Sequence, residues 1–121
     1  MEYGSQVIAQ GGGEPPLDVT VDDTGDVATV RCRGELDMET GDLLATTLDR
    51  VLAPGSRQVV VDLGELEFLD STGVRVLLNG LDRARSTGSA LVVRRPRPLV
   101  ERVLRISGIA GHLGLPADPD A

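Results

Sequence analysis

Val59-Val60-Val61-Asp62-Leu63-Gly64-Glu65-Leu66-Glu67-Phe68-Leu69-Asp70-Ser71-Thr72-Gly73-Val74 is the stretch on which the fold turns. Residues 59–63 form an apolar run broken only by Asp62, the pattern expected of a strand covered on both faces. A loop should follow and end in Asp-Ser-Thr-Gly, where an amphipathic helix opens. In that helix Val74, Leu77, Leu78 and Leu81 recur at helical spacing and should face inward, with Arg75, Asn79, Asp82 and Arg85 outward. Ser71 then stands at a helix N-terminus beside the edge of a sheet. Unpaired backbone N–H groups and the positive end of the helix dipole gather at such a place, and both favour a phosphate.

Working outward, Leu17-Asp18-Val19-Thr20-Val21 alternates with period two, as a half-buried strand does. Asp22 to Asp26 is turn chemistry, and residues 27–35 form a second strand, so the two should pair as a hairpin. Gly34-Glu35-Leu36-Asp37 closes that strand, with Asp37 the expected N-cap of the next helix. Thr40, Leu43, Leu44, Thr47, Leu48, Val51 and Leu52 form its apolar face, and Gly41 is an unfavourable residue inside it. Downstream, Thr87-Gly88-Ser89 ends the second helix and residues 90–93 form a buried strand. Pro96 and Pro98 lead into a last helix with Leu99, Val100, Val103 and Leu104 apolar and Gly108 just past its end. The order β-β-α-β-α-β-α implies a single small α/β domain with a mixed sheet and helices packed mainly on one face. Residues 1–16, with Gly11-Gly12-Gly13 and Pro15-Pro16, read as a flexible tail, 17–115 as the domain, and 116–121 as a loose tail.

The composition narrows the chemistry. The chain has 121 residues, 40% apolar and only 2% aromatic, so its core must be Val, Leu, Ile and Ala. Its net charge of −7 argues against a nucleic-acid partner, which needs clustered cations. All the basic residues are Arg; there is no Lys. The one cysteine, Cys32, alternates with Val30 and reads as a buried, inert thiol in a reducing compartment. No apolar run approaches the roughly 20 residues that span a bilayer, and no charged leader precedes an apolar segment, so a cytoplasmic protein is expected, without a membrane partner.

Several chemistries fit poorly. Ser71 as a nucleophile needs a general base, but the only histidine, His112, lies in the Gly-rich C-terminal segment, and the flanks do not make Gly-x-Ser-x-Gly. Asp22-Asp23 and Asp62 resemble the acidic set of a phospho-aspartate receiver. Receivers add a Lys, however, and place a helix where this chain has a second strand, so a hairpin turn is favoured. One Cys and one His give no metal-ligand spacing, and no Gly-x-x-x-x-Gly-Lys loop is present. No metal, cofactor or catalytic residue is expected. Arg94, Arg95, Arg97, Arg102 and Arg105 read as the solvated face of the last helix, with an electrostatic rim for an acidic partner as the alternative.

Gly34-Glu35-Leu36-Asp37, the run Val59-Val60-Val61-Asp62-Leu63 and Phe68-Leu69-Asp70-Ser71-Thr72-Gly73, in this order of elements, resemble the STAS domain of anti-sigma factor antagonists over residues 17–115. The resemblance implies that Ser71 is the phosphoacceptor, with Thr72 as a second acceptor. It implies a binding surface of Asp37, Asp70, Ser71, Thr72, Gly73 and Arg75. It also implies an anti-sigma factor serine kinase as partner, held by the unphosphorylated form so that a sigma factor is freed, and a serine phosphatase that restores that form. The alternative is a STAS scaffold or sensor module that is not phosphorylated.

Overall fold

A computed structural model describes residues 6–7 and 16–117. Five strands form one sheet in sequence order: β1 (Gln6–Val7), β2 (Leu17–Asp23), β3 (Val27–Leu36), β4 (Gln58–Leu69) and β5 (Ala90–Arg94). β1–β2 and β2–β3 are antiparallel; β3–β4 and β4–β5 are parallel, joined through α1 (Gly41–Leu52) and α2 (Ser71–Ser86). α3 (Pro98–Ile106) and a 3-10 turn (Gly111–Leu113) close the described chain. The mixed sheet and the β-β-α-β-α-β-α order over residues 17–106 match the sequence reading. The short β1 comes from the segment read as a tail; the rest of residues 1–15 lies outside the described residues.

The core lies on one face of the sheet. Alternate residues Val19, Val21, Val30, Cys32, Val59, Val61, Leu91 and Val93 meet Leu44, Leu48 and Val51 of α1 and Leu77, Leu81 and Ala84 of α2 in one buried cluster. The opposite face carries Thr29, Val60 and Val92 in register, and Arg31, Asp62 and Arg94 in the next row. β4 is thus not apolar on both sides: Val60 is buried but stands outside the core cluster, and Asp62 pairs with Arg95 at 2.9 Å and Arg31 at 4.0 Å. Desolvation works to raise the Asp62 carboxyl, but the Gly64 amide and Arg95 outweigh it and the net shift is downward. Cys32 is buried as expected, and burial pushes its thiol up to about 12.

β4 also corrects the expected loop before Asp70. The strand runs on to Leu69, still paired with β3 through Arg33↔Glu65, Gly34↔Leu66, Glu35↔Phe68 and Leu36↔Leu69. Two register shifts place extra residues on β4, so Leu63, Leu66 and Leu69 are buried at intervals of three. Bulges of this kind break the two-residue period by which a strand is recognised.

In α2 the buried stripe is Gly73, Leu77, Gly80, Leu81 and Ala84. Leu78 falls outside it and is exposed, contrary to the sequence reading. Similarly Val100 and Leu104 anchor α3 while Leu99 faces solvent. Residues 109–115 bury Ile109, Ala110 and Leu113, with Leu115 packed against the core.

Candidate functional site

The parallel β3–β4 pair determines the site. Leu36 and Leu69 are register partners, and the Asp70 amide donates to the Leu36 carbonyl at 3.3 Å. Asp37 and Asp70 therefore leave neighbouring strands at the same pole, where ligand and partner sites of parallel sheets gather. Asp37 was expected as the N-cap of α1. It caps the turn before the helix instead: Asp37 Oδ1 accepts from the Glu39 and Thr40 amides at 3.0 and 3.2 Å, and the helix itself starts at Gly41 with Thr40 as N-cap. Thr40 is buried and its hydroxyl donates to the Glu35 carbonyl at 2.8 Å, tying the turn to β3.

Gly41 is therefore not a fault inside the helix. It begins α1 against the start of α2, where a Cβ would meet Thr72 Cγ2 at 2.9 Å and Val76 Cγ2 at 3.5 Å. Gly73 is held as closely: its Cβ would come within 2.6 Å of Leu69 Cδ1 and 3.0 Å of Leu36 Cγ. The two glycines allow both helices to start directly over the ends of the two strands.

Asp70 is the N-cap of α2. Its Oδ1 accepts from the Thr72 and Gly73 amides at 2.9 and 3.3 Å. Ser71 follows as the first helical residue and is exposed. The structure thus revises the expected phosphate cradle, because a carboxylate already occupies the amides of the second and third positions. Of the helix N-terminus itself, the general field is then what favours an anion on Ser71, worth about 0.3–1 kcal/mol at an exposed position.

Thr72 is half-buried beneath Gly41, and Gly73 is buried. Ser71, Arg75 and Leu78 are all exposed and succeed one another at i, i+4 and i+7, so they form one stripe along α2. Two further exposed apolar residues flank the pole: Met38, beside Asp37, and Phe68, three residues before Ser71. The sequence reading missed both. The signals were an apolar Met between two acidic residues, Asp37 and Glu39, and the placement of the chain's only Phe next to the Asp-Ser-Thr-Gly turn.

The competing constellations are not assembled. His112 lines a shallow recess with Arg85 and Ser89, beside the C-terminal end of α2, while Ser71 begins that 16-residue helix. Asp23 pairs with Arg57 at the start of β4, whereas Asp62 faces Arg95 and Arg31, so no receiver-type acidic set forms. The Asp22-Asp23 turn is a hairpin as read, with Asp23 Oδ1 accepting from the Gly25 amide at 2.8 Å. The arginine cluster divides: Arg95 holds Asp62, Arg97 donates to the Gly64 carbonyl at 3.0 Å, Arg105 holds Glu101, and Arg94 and Arg102 are exposed. Among the described residues no group of three or more His, Cys, Asp or Glu could hold a metal ion, and no helix is long and apolar enough to cross a membrane.

The family model described as "Mlab, STAS domain" matches residues 19–116. The anti-sigma F factor antagonist of Paenibacillus polymyxa is 32% identical over 84 residues, which cover 69% of this chain and 72% of that protein. Among solved structures, an anti-sigma factor antagonist from Mycobacterium paratuberculosis is similar with a TM-score of 0.71 and 28% identity, over 86% of this chain and 88% of that one. The Bacillus cell fate determinant SpoIIAA in its phosphorylated form shares the fold at a TM-score of 0.61 and 20% identity, over 84% of this chain and 93% of that one.

Proposed function

Because the chain belongs to the STAS-domain family, we propose that it is an anti-sigma factor antagonist, a regulatory binding protein rather than an enzyme, working in the cytoplasm. Its unphosphorylated form binds an anti-sigma factor that is also a serine kinase, and a sigma factor is released. The kinase transfers a phosphoryl group to Ser71. The Ser71 Oγ bonds to the γ-phosphorus of ATP, the bond to the bridging oxygen breaks, ADP leaves, and the hydroxyl proton passes to a base of the kinase. A serine phosphatase hydrolyses the ester and restores the binding form.

The observation that carries this reading is an exposed serine at the first position of α2, directly after Asp70 at the pole where Asp37 leaves the adjacent strand, with Met38 and Phe68 exposed beside that pole and Leu78 further along α2. Exposed apolar residues beside a neutral hydroxyl suit a protein interface. A phosphate adds about −1.5 to −2 charges there. A like charge at about 4 Å costs up to ~4 kcal/mol at an effective dielectric near 20. Half of that already exceeds one decade in affinity, since a decade is ~1.4 kcal/mol. Binding therefore switches without refolding.

The test has two parts. Intact-mass spectrometry after incubation with ATP and candidate anti-sigma kinases should show one added phosphate, absent in Ser71→Ala. Calorimetric titration should then find Ser71→Asp at least about tenfold weaker than Ser71→Ala for the same kinase. Equal affinities would sink the charge argument. Tight binding with no modification by any kinase would favour the unphosphorylated scaffold.

A further inference from the structure

Ser71 and Arg75 stand one helical repeat apart on the exposed side of α2. Side chains at i and i+4 are neighbours, with Cβ atoms about 5–6 Å apart, and the anion-first order is the favourable one. Among the described residues, the charged groups where α1 and α2 begin are carboxylates: Asp70 in the cap, Asp37 and Glu39 in the turn before α1, and Asp42 in the first turn of α1; further back on the strands, Arg33 pairs with Glu65 at 4.0 Å. Arg75 is the only basic residue among residues 71–78. Elsewhere Arg31, Arg57, Arg83, Arg95 and Arg105 are engaged with Asp62, Asp23, Asp49, Asp62 and Glu101. The amides of Thr72 and Gly73 are held by Asp70, so they do not serve a phosphate on Ser71.

Resting on the reading of Ser71 as phosphoacceptor, we propose that Arg75 is the counter-ion of the Ser71 phosphate. The guanidinium folds back along α2 and closes on the phosphoryl oxygens. Its planar fork can donate two parallel hydrogen bonds to a phosphate, which a lysine ammonium cannot do. Phosphorylation then withdraws a cation from the partner as well as adding an anion, and it holds the phosphate along the first turn of α2, between Ser71 and Arg75, instead of in open water. The phosphorylated protein presents a bound phosphate with a residual charge of about −0.5 to −1, where the unphosphorylated one presents a hydroxyl and an open guanidinium.

The experiment places phosphoserine at position 71 by nonsense suppression, so that no kinase is involved. The phosphate is titrated by phosphorus NMR in the wild type, R75Q and R75K. Its second ionisation should lie about 0.3 pH unit lower in the wild type than in R75Q. R75K should fall between them, and the gap should close at about 1 M salt. Arg75 is exposed, so both variants should keep the wild-type circular dichroism. Coincident titration curves for the wild type and R75Q would overturn the proposal. A kinase that fails to modify Ser71 does not alter this titration, so loss of the phosphoacceptor reading and loss of the Arg75 latch are separately visible.

Discussion

Asp70 and Ser71 are adjacent, yet they answer to different pressures. Asp70 holds two helix amides, so its carboxylate works for the fold. Asp70→Ala should cost about 1 kcal/mol of stability, read as a lower midpoint in urea denaturation with an unchanged slope. A midpoint equal to that of the wild type would mean that the cap is dispensable. Ser71 is exposed at the next position, and Ser71→Asp should leave stability within about 0.5 kcal/mol while changing affinity. The sequence puts both residues at the start of α2 without separating the two roles. Asp and Ser have similar capping preference, and it is the fold that turns the Asp70 side chain back onto the amides.

At the scale of elements, the two glycines of α2 give a contrast. Helix propensity alone says that Gly73→Ala and Gly80→Ala should each stabilise by about 1 kcal/mol. At Gly73 the new methyl would press on Leu69 at 2.6 Å and Leu36 at 3.0 Å; at Gly80 the nearest atoms are Leu48 Cδ1 at 3.0 Å and Leu91 Cδ1 at 3.3 Å. Overpacking a filled core costs about 1–3 kcal/mol, so Gly73→Ala should be net destabilising, by about 1 kcal/mol, and Gly80→Ala should lie near zero. Thermal melts of the two variants side by side check this, and a stabilised Gly73→Ala would refute the packing argument. The same elements show what was legible beforehand. Long periodic runs such as residues 43–52 and the alternating β2 were readable because burial on one face repeats regularly. The continuation of β4 to Leu69 was not, because its bulges erase the alternation. Leu78 and Leu99 were placed inward because hydrophobicity marks a stripe without marking its edge. Gly41 looked harmful because nothing local in a sequence announces a neighbouring helix at 2.9 Å.

For the whole molecule, the stabilising charge pair sits far from the switch. Arg57 is buried, pairs with Asp23 and donates to the Val51 carbonyl at 3.2 Å, joining the β2–β3 turn, the end of α1 and the start of β4. The Arg57 hydrogen bond holds the Asp23 carboxyl below its ordinary 3.8. A carboxyl depressed in the fold stabilises above its unfolded value and loses that contribution as pH falls through its folded value. Thermal stability should therefore decline below about pH 4, and Asp23→Asn should be less stable at neutral pH with a shallower acid limb. An acid limb identical to that of the wild type would remove Asp23 from the account. The sequence reading assigned Asp23 to its turn but gave no sign of Arg57, since a buried arginine and a solvated one look alike in one dimension. β4 lies between this pair and Ser71: its 12 residues begin just after Arg57 and end just before Asp70. Extended over roughly 40 Å, that strand spans several Debye lengths at physiological salt. The two ends are thus out of each other's electrical earshot, and a dianion added at one leaves the ionic lock at the other undisturbed. Such a chain can be rewritten at its talking end, residue by residue, for a new listener, while the end that keeps it folded stays as it is.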